Sequence, residues 1–170
     1  MFCAKFRFIG AVLNRPASGI PYDKWIRLRL PKHTDRLEFS GKYPLERMVE
    51  AYDSLDICVF PSLWENFPNV CLEAMSAARA ITASSAGGMS EMLDDGGAGR
   101  LFPSGDSEAL SREVIALLQT PSERIRLGEL ARSRVLSLYN ENVIGEMMER
   151  IYGEAIIRKS QESVPDALPA

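Results

Sequence analysis

One histidine, three cysteines and two tryptophans are all that the 170 residues hold of these types, and each scarcity removes a class of chemistry. His33, in a basic polar stretch with no second histidine or cysteine partner, composes no metal site. The cysteines (Cys3, Cys58, Cys71) are odd in number and lack metal spacing. Cys58 and Cys71 sit inside apolar runs, the place of buried, reduced thiols in a cytoplasmic protein. No apolar run is long enough to cross a bilayer. Lys5 and Arg7 interrupt the N-terminal apolar residues, so this end reads as a strand and not as a signal peptide. A net charge of −3 gives no electrostatic reason to expect nucleic acid or an anionic membrane as partner. The cluster Lys24, Arg27, Arg29, Lys32, His33 and Arg36 reads as a solvated helix face. No Gly-x-Gly-x-x-Gly follows the first strand, where Gly10 stands alone, which disfavours a dinucleotide-dependent oxidoreductase. No serine lies in a nucleophile elbow, so hydrolase chemistry has no support.

What is present is a regular alternation of strand and helix. A hydrophobic content of 46% fits one globular domain, expected over residues 1–158, with a frayed tail over 159–170. Strands are expected at about 5–10, 36–40, 56–60, 80–83 and 100–102. A loop over Asn14–Pro21 leads to a helix at 22–30. Another helix spans 45–54, with Leu45, Met48, Val49 and Tyr52 at helical spacing. Residues 56–60 are continuously apolar, as in a sheet covered on both faces. Helix 70–78 is apolar nearly all round, which predicts burial, and a short helix follows at 89–94. From Asp106 the chain is helical, with Leu110, Val114, Leu117 and Leu118 as a stripe. Thr120-Pro121-Ser122-Glu123 reads as a capping box that opens a new helix. Asn140 caps a last one, whose apolar face (Val143, Ile144, Met147, Met148, Ile151, Tyr152) wants something to pack on. This rhythm predicts an α/β, Rossmann-like, doubly wound parallel sheet of about five strands with extra C-terminal helices.

The most informative stretch is Phe60 to Met75. Glu65 and Glu73 stand eight positions apart, one after an apolar strand and one in the first turns of the next helix. That layout puts both carboxylates at the carboxyl end of a parallel sheet, where ligands of open α/β domains bind. A polyhydroxylated ligand needs such paired acceptors. Gly87-Gly88 reads either as a turn that permits positive φ or as room for a ligand. Trp64 reads as a packing residue beside the loop.

Phe-Pro-Ser, Glu-Asn-Phe-Pro-Asn-Val, Leu-Glu-Ala-Met, then Gly87-Gly88-Met89-Ser90-Glu91 and Gly99-Arg100-Leu101, together resemble the C-terminal domain of retaining glycosyltransferases of family 4. Those enzymes have the GT-B fold, two Rossmann-like domains facing across a cleft. The resemblance runs from about Phe6 to the last helix. It implies a domain that binds a nucleotide-diphosphate sugar for metal-independent, retaining transfer to an unknown acceptor, with no cofactor. Glu65, the residue implied at the catalytic centre, would accept hydrogen bonds from hydroxyls of the transferred sugar. Glu73 would hold the two ribose hydroxyls. Between them Asn66, Phe67, Pro68, Asn69 and Val70 would offer backbone N–H groups to the diphosphate at a helix start, with Pro68 first in the helix and Asn66 or Asn69 as cap. Gly87 and Gly88 would border the ligand, and Lys42, Tyr43 and Pro44 would lie at the base edge.

The chain departs from the family pattern in several places. It starts at what resembles the second strand, without the upstream Arg and Lys that clamp the diphosphate and without the N-terminal domain. The implied partners are therefore the sugar donor and a missing N-terminal domain or complementary polypeptide, through which alone a membrane would be met. By itself the chain is expected to transfer sugar weakly or not at all. Ala78 and Ala80 replace the usual Gly and Pro; Ala78 is costly only if its φ is positive. Ser85 replaces an acidic residue. A non-catalytic Rossmann-like subunit and a sugar-nucleotide epimerase of the same fold are the other functions compatible with the pattern. The Glu-Asn-Phe-Pro-Asn flavour suggests bacterial polysaccharide or lipopolysaccharide assembly.

Overall fold

A computed structural model of the chain describes residues 4–11 and 19–162. Cys3, most of the expected loop over Asn14–Pro21, and residues 163–170 lie outside the described residues. The chain falls into two compact units, Met1–Ser54 and Leu55–Ala170, each with its own parallel sheet.

In the first unit, β1 (Phe6–Ile9) pairs in parallel with β2 (Leu37–Gly41), and α1 (Tyr22–Arg29) lies between them in sequence. Phe8 and Phe39, partners in register, stack at 4.6 Å. Arg27 is not a solvated member of the basic stretch. Its guanidinium donates to the Thr34 and Leu37 carbonyls and lies over the Phe39 ring. The helix expected at 45–54 is split into a 3-10 turn at Leu45–Arg47 and α2 (Met48–Asp53). Its buried face is Ala51 and Tyr52, while Leu45 and Val49 of the expected stripe are exposed.

In the second unit, β3 (Ile57–Phe60), β4 (Ala80–Ser84) and β5 (Arg100–Phe102) form a parallel sheet in that order. All five residues of β4 are buried, because it is the central strand. β3 was expected to be covered on both faces. Its Val59 is exposed, so the face of β3 that carries Val59 is not fully covered. Helix α3 (Asn69–Ser76) buries Cys71, Ala74 and Met75, yet Val70 is exposed, so an apolar circumference overstates its burial. The short α4 (Met89–Met92) buries both methionines.

Helix α5 (Ser107–Gln119) is capped by Asp106, whose carboxylate accepts from the Ala109 N–H at 2.8 Å. Its Leu117 joins Ala80 of β4 and Leu127 of α6 (Pro121–Leu138) in the core, with Ile57 packed against them. The expected capping box at Thr120 does not form. Glu123 is instead held by Arg100 and Arg126 at 2.8 and 2.7 Å; a guanidinium is a stronger partner for a carboxylate than a backbone N–H. The Arg126 hydrogen bond leads in pulling the Glu123 carboxyl below its usual range.

Three arginines of α6 reach the carbonyl ends of three other helices. Arg124 donates to Leu117 and Leu118 of α5, Arg132 to Ser76 of α3, and Arg134 to Glu91 and Met92 of α4. Cations at helix C-termini satisfy orphan carbonyls and oppose the dipole. Asn140 turns the corner into α7 (Glu141–Glu162) as expected: its amide accepts from the Val143 N–H and donates to the Leu136 carbonyl. The tail expected from residue 159 is thus helical as far as Glu162.

Candidate functional site

The candidate site lies in the second unit, on the chain that leaves the carboxyl end of β3. Residues 61–68 contain no helix or strand, but side chains and backbone from the two neighbouring strand ends hold them. The Ser84 hydroxyl, closing β4, donates to the Ser62 carbonyl at 2.6 Å. The Ser104 hydroxyl, just past β5, donates to the Leu63 carbonyl at 2.8 Å. The Gly88 N–H donates to the Glu65 carbonyl at 3.0 Å. A loop fixed at three successive points is a pre-organised element, which suits a binding role.

Gly87-Gly88 has a reason that neither sequence reading contained. A Cβ on Gly87 would strike the Glu65 carbonyl oxygen, and one on Gly88 the Asn66 carbonyl oxygen. Two backbones meet there with no space for a methyl group between them. Gly87 also has φ of +64°, the left-handed region that glycine enters without cost. The pair therefore locks the turn before α4 to the Glu65 loop.

Glu65 is half-buried, and its carboxylate Oε1 accepts a hydrogen bond from the Ser62 hydroxyl at 3.1 Å. That contact orients the carboxylate and leaves other acceptor positions on it. Glu73 follows in the second turn of α3 and is half-buried. The chain enters α3 differently from the sequence reading. Pro68 is the N-cap residue (φ −75°, ψ 124°), Asn69 is the first helical residue, and neither Asn66 nor Asn69 caps. The Pro68 carbonyl accepts the first helical bonds, from Cys71 and Leu72. Pro68 makes no side-chain cap bond, and the positive end of the α3 dipole falls between Glu65 and Glu73 in the sequence.

Phe67 packs its ring edge-on against Tyr139, at 5.1 Å and 78°. Trp64 is 69% exposed and so is no packing residue; the expectation fails because the loop turns this side chain outward beside an equally exposed Leu63. The residues expected at a base edge belong to the first unit. There the guanidinium groups of Arg7 and Arg47 each lie over the Tyr43 ring, at 5.3 and 5.4 Å, and Lys42 and Pro44 are exposed.

Cys58 and Cys71 are free and buried. Burial pushes both thiols up to about 12, which makes them inert core residues. No group of three or more His, Cys, Asp or Glu that could hold a metal ion occurs among the described residues. Nor does any described helix have the length and apolarity to cross a membrane.

Ser62, Ser84, Ser104 and Tyr139 escaped the sequence reading. The one available signal was that Ser62, Ser84 and Ser104 each stand within two residues of a strand end, where a hydroxyl can bridge neighbouring loops.

The family profile described as Glycosyl transferases group 1 matches residues 4–120 of the chain. Phosphatidyl-myo-inositol mannosyltransferase of Mycolicibacterium smegmatis is 32% identical over 118 residues, which cover 68% of this chain and 30% of that protein. Sucrose-phosphate synthase of Thermosynechococcus elongatus superposes with a TM-score of 0.73 at 26% identity, over 89% of this chain and 38% of that one. Anabaena HepE, crystallised in complex with UDP, superposes with a TM-score of 0.76 over 89% of this chain and 41% of its own. At 17% identity it speaks for the fold alone. The chain thus spans about a third of the length of the proteins it matches, and those relatives favour neither an epimerase nor a non-catalytic subunit.

Proposed function

The chain belongs to the group 1 glycosyl transferases, and from that premise we propose that it is the donor-binding half of a retaining, GT-B glycosyltransferase. The observation that carries this reading is the pair Glu65 and Glu73 on either side of an uncapped helix start, on a loop pinned by Ser84, Ser104 and Gly88. A nucleotide-diphosphate sugar has the matching sequence of groups: hydroxyls, two phosphates, then a ribose diol.

Each residue has a distinct task in this reading. Glu65, oriented by Ser62, accepts hydrogen bonds from the hydroxyls of the transferred sugar. The N-terminus of α3, over Asn66 to Val70, meets the diphosphate and favours the charge that builds on it as the glycosidic bond breaks. Glu73 takes the ribose diol as a two-oxygen acceptor. Gly87 and Gly88 hold the Glu65 loop in place. No metal or cofactor takes part; fixed positive groups and the helix dipole stabilise the leaving diphosphate.

Acceptor binding belongs to an N-terminal domain or a separate polypeptide. The exposed apolar side chains of α7 (Ile144, Met147, Met148, Ile151, Tyr152) support such a partner. The similarity to a phosphatidyl-myo-inositol mannosyltransferase supports a role in glycolipid assembly.

Two-dimensional amide NMR of the chain, titrated with UDP, GDP, ADP and their hexose conjugates, tests the proposal. Resonances of Trp64 to Glu73 should shift with one nucleotide family, and Glu73→Ala should abolish the response while the spectrum stays dispersed. Undiminished affinity in Glu73→Ala would refute the assignment of the ribose site.

A further inference from the structure

We propose that Tyr139, at the corner between α6 and α7, is a positioning residue for the Glu65–Val70 loop. The inference rests on the donor-site reading above and adds a residue that lies 66 positions beyond Glu73 in the sequence.

The residue just before a helix N-cap sets the angle at which the chain enters the helix. It commonly does so by packing on an apolar side chain one turn inside the same helix. In α3 that residue is Phe67, ahead of the N-cap Pro68. Its ring partner is Tyr139, met edge to face at 5.1 Å. The N-cap residue Pro68 makes no side-chain cap bond, so the usual local device for fixing the direction of the entry is not used here. The Gly88 N–H holds Glu65 ahead of this entry, and the Tyr139 ring meets Phe67 next to it.

Tyr139 is itself firmly placed. Its N–H donates to the Val135 carbonyl at 2.9 Å, closing α6. The adjacent Asn140 binds the last turn of α6 and the first turn of α7 at once, through Leu136 and Val143. The ring therefore projects from a rigid corner against a loop that has no secondary structure of its own. Pre-organisation of this kind lowers the cost of ordering a site when ligand arrives.

The ring face and edge make this contact, so phenylalanine should replace tyrosine without loss. In the free chain, Tyr139→Ala should displace the amide resonances of Glu65 to Val70, and Tyr139→Phe should leave them in place. UDP-glucose affinity should fall about two- to tenfold in Tyr139→Ala, the effect of losing one edge-to-face ring pair, and be restored in Tyr139→Phe. In a Phe67→Ala background, Tyr139→Ala should add little further loss. The proposal is overturned if Glu65–Val70 resonances stay unmoved in Tyr139→Ala, or if Tyr139→Phe perturbs them as much. Failure of the UDP, GDP and ADP hexose conjugates alike to bind the unmodified chain would count against the donor reading, while the ligand-free spectra still decide the role of Tyr139.

Discussion

Replacing Ala78 by glycine should make the protein more stable, although the change removes a methyl group. Ala78 follows the last turn of α3 at φ of +53°, where its N–H donates to the Met75 carbonyl. In this left-handed conformation an L side chain costs about 1–2 kcal/mol. Glycine removes that strain but adds about 0.4–1 kcal/mol of unfolded-state entropy to be lost on folding. The balance is a gain of about 0.5–1 kcal/mol. For a domain of this size that corresponds to a rise in Tm of about 1–4 °C. Ala77→Gly serves as the control, because Ala77 has φ of −79° and holds no strain to relieve. It should lose about 0.5–1 kcal/mol. Urea titrations followed by helical circular dichroism would measure both, with an unchanged m-value showing that native-state stability has moved. If Ala78→Gly proves neutral or destabilising while Ala77→Gly behaves as stated, the left-handed strain at residue 78 is refuted.

Gly88→Ala should break the contact with the Asn66 carbonyl, costing about 1–3 kcal/mol as overpacking and lowering nucleotide-sugar affinity with it; a titration showing normal affinity would detach the glycine pair from the site. Leu127→Ala, at the centre of the α5–α6–β4 cluster, should cost about 2–5 kcal/mol in chemical denaturation. The thiols of Cys58 and Cys71 have pKa values raised by burial from an ordinary 9.0 to about 12. Their contribution to stability is thus complete below pH 9 and lost as pH rises from there towards 12; a midpoint that stays flat across that window would contradict it. At pH 8 a thiol reagent should leave both unlabelled until the chain unfolds. EDTA should leave nucleotide-sugar binding unchanged in a calorimetric titration, and a lost signal would require a metal.

Strand positions were legible in the sequence to within about a residue, because each short apolar run is closed by a polar or small residue and all pair in parallel. The placement of the two glutamates, one past β3 and one in the second turn of α3, was legible too, through their spacing and the strand that precedes them. Helix starts were harder to read. Thr120-Pro121-Ser122-Glu123 has the letters of a capping box, yet Glu123 is drawn to Arg100 from β5, a contact that only the tertiary fold provides. Pro68 and Asn69 exchanged roles for a similar reason, since the loop ahead of them is set by Gly88 and Tyr139 and not by local propensity. Burial was the least legible quantity. Periodicity marked Leu45 and Val49 as inward, yet both are exposed. Gly87-Gly88 was legible as a turn needing positive φ, which Gly87 has, but its fit against the Glu65 loop was hidden, because a backbone-on-backbone contact leaves no trace in the composition of either segment.

The arginines of α6 bear on how the second unit is assembled in time. Arg132 reaches 56 residues back along the chain to Ser76, and Arg134 reaches 42 and 43 residues back to Met92 and Glu91. Contacts of such sequence separation form only after the intervening chain has condensed, and here their targets are carbonyls that do not exist as a cluster until α3 and α4 have wound. The guanidinium forks should therefore close after the folding barrier has been crossed. Arg132→Ala and Arg134→Ala would then speed unfolding while leaving the refolding rate nearly untouched, the mark of φ-values close to zero. Helix α6 would act as a latch on a nearly finished unit, setting how long the folded chain lasts more than how quickly it forms.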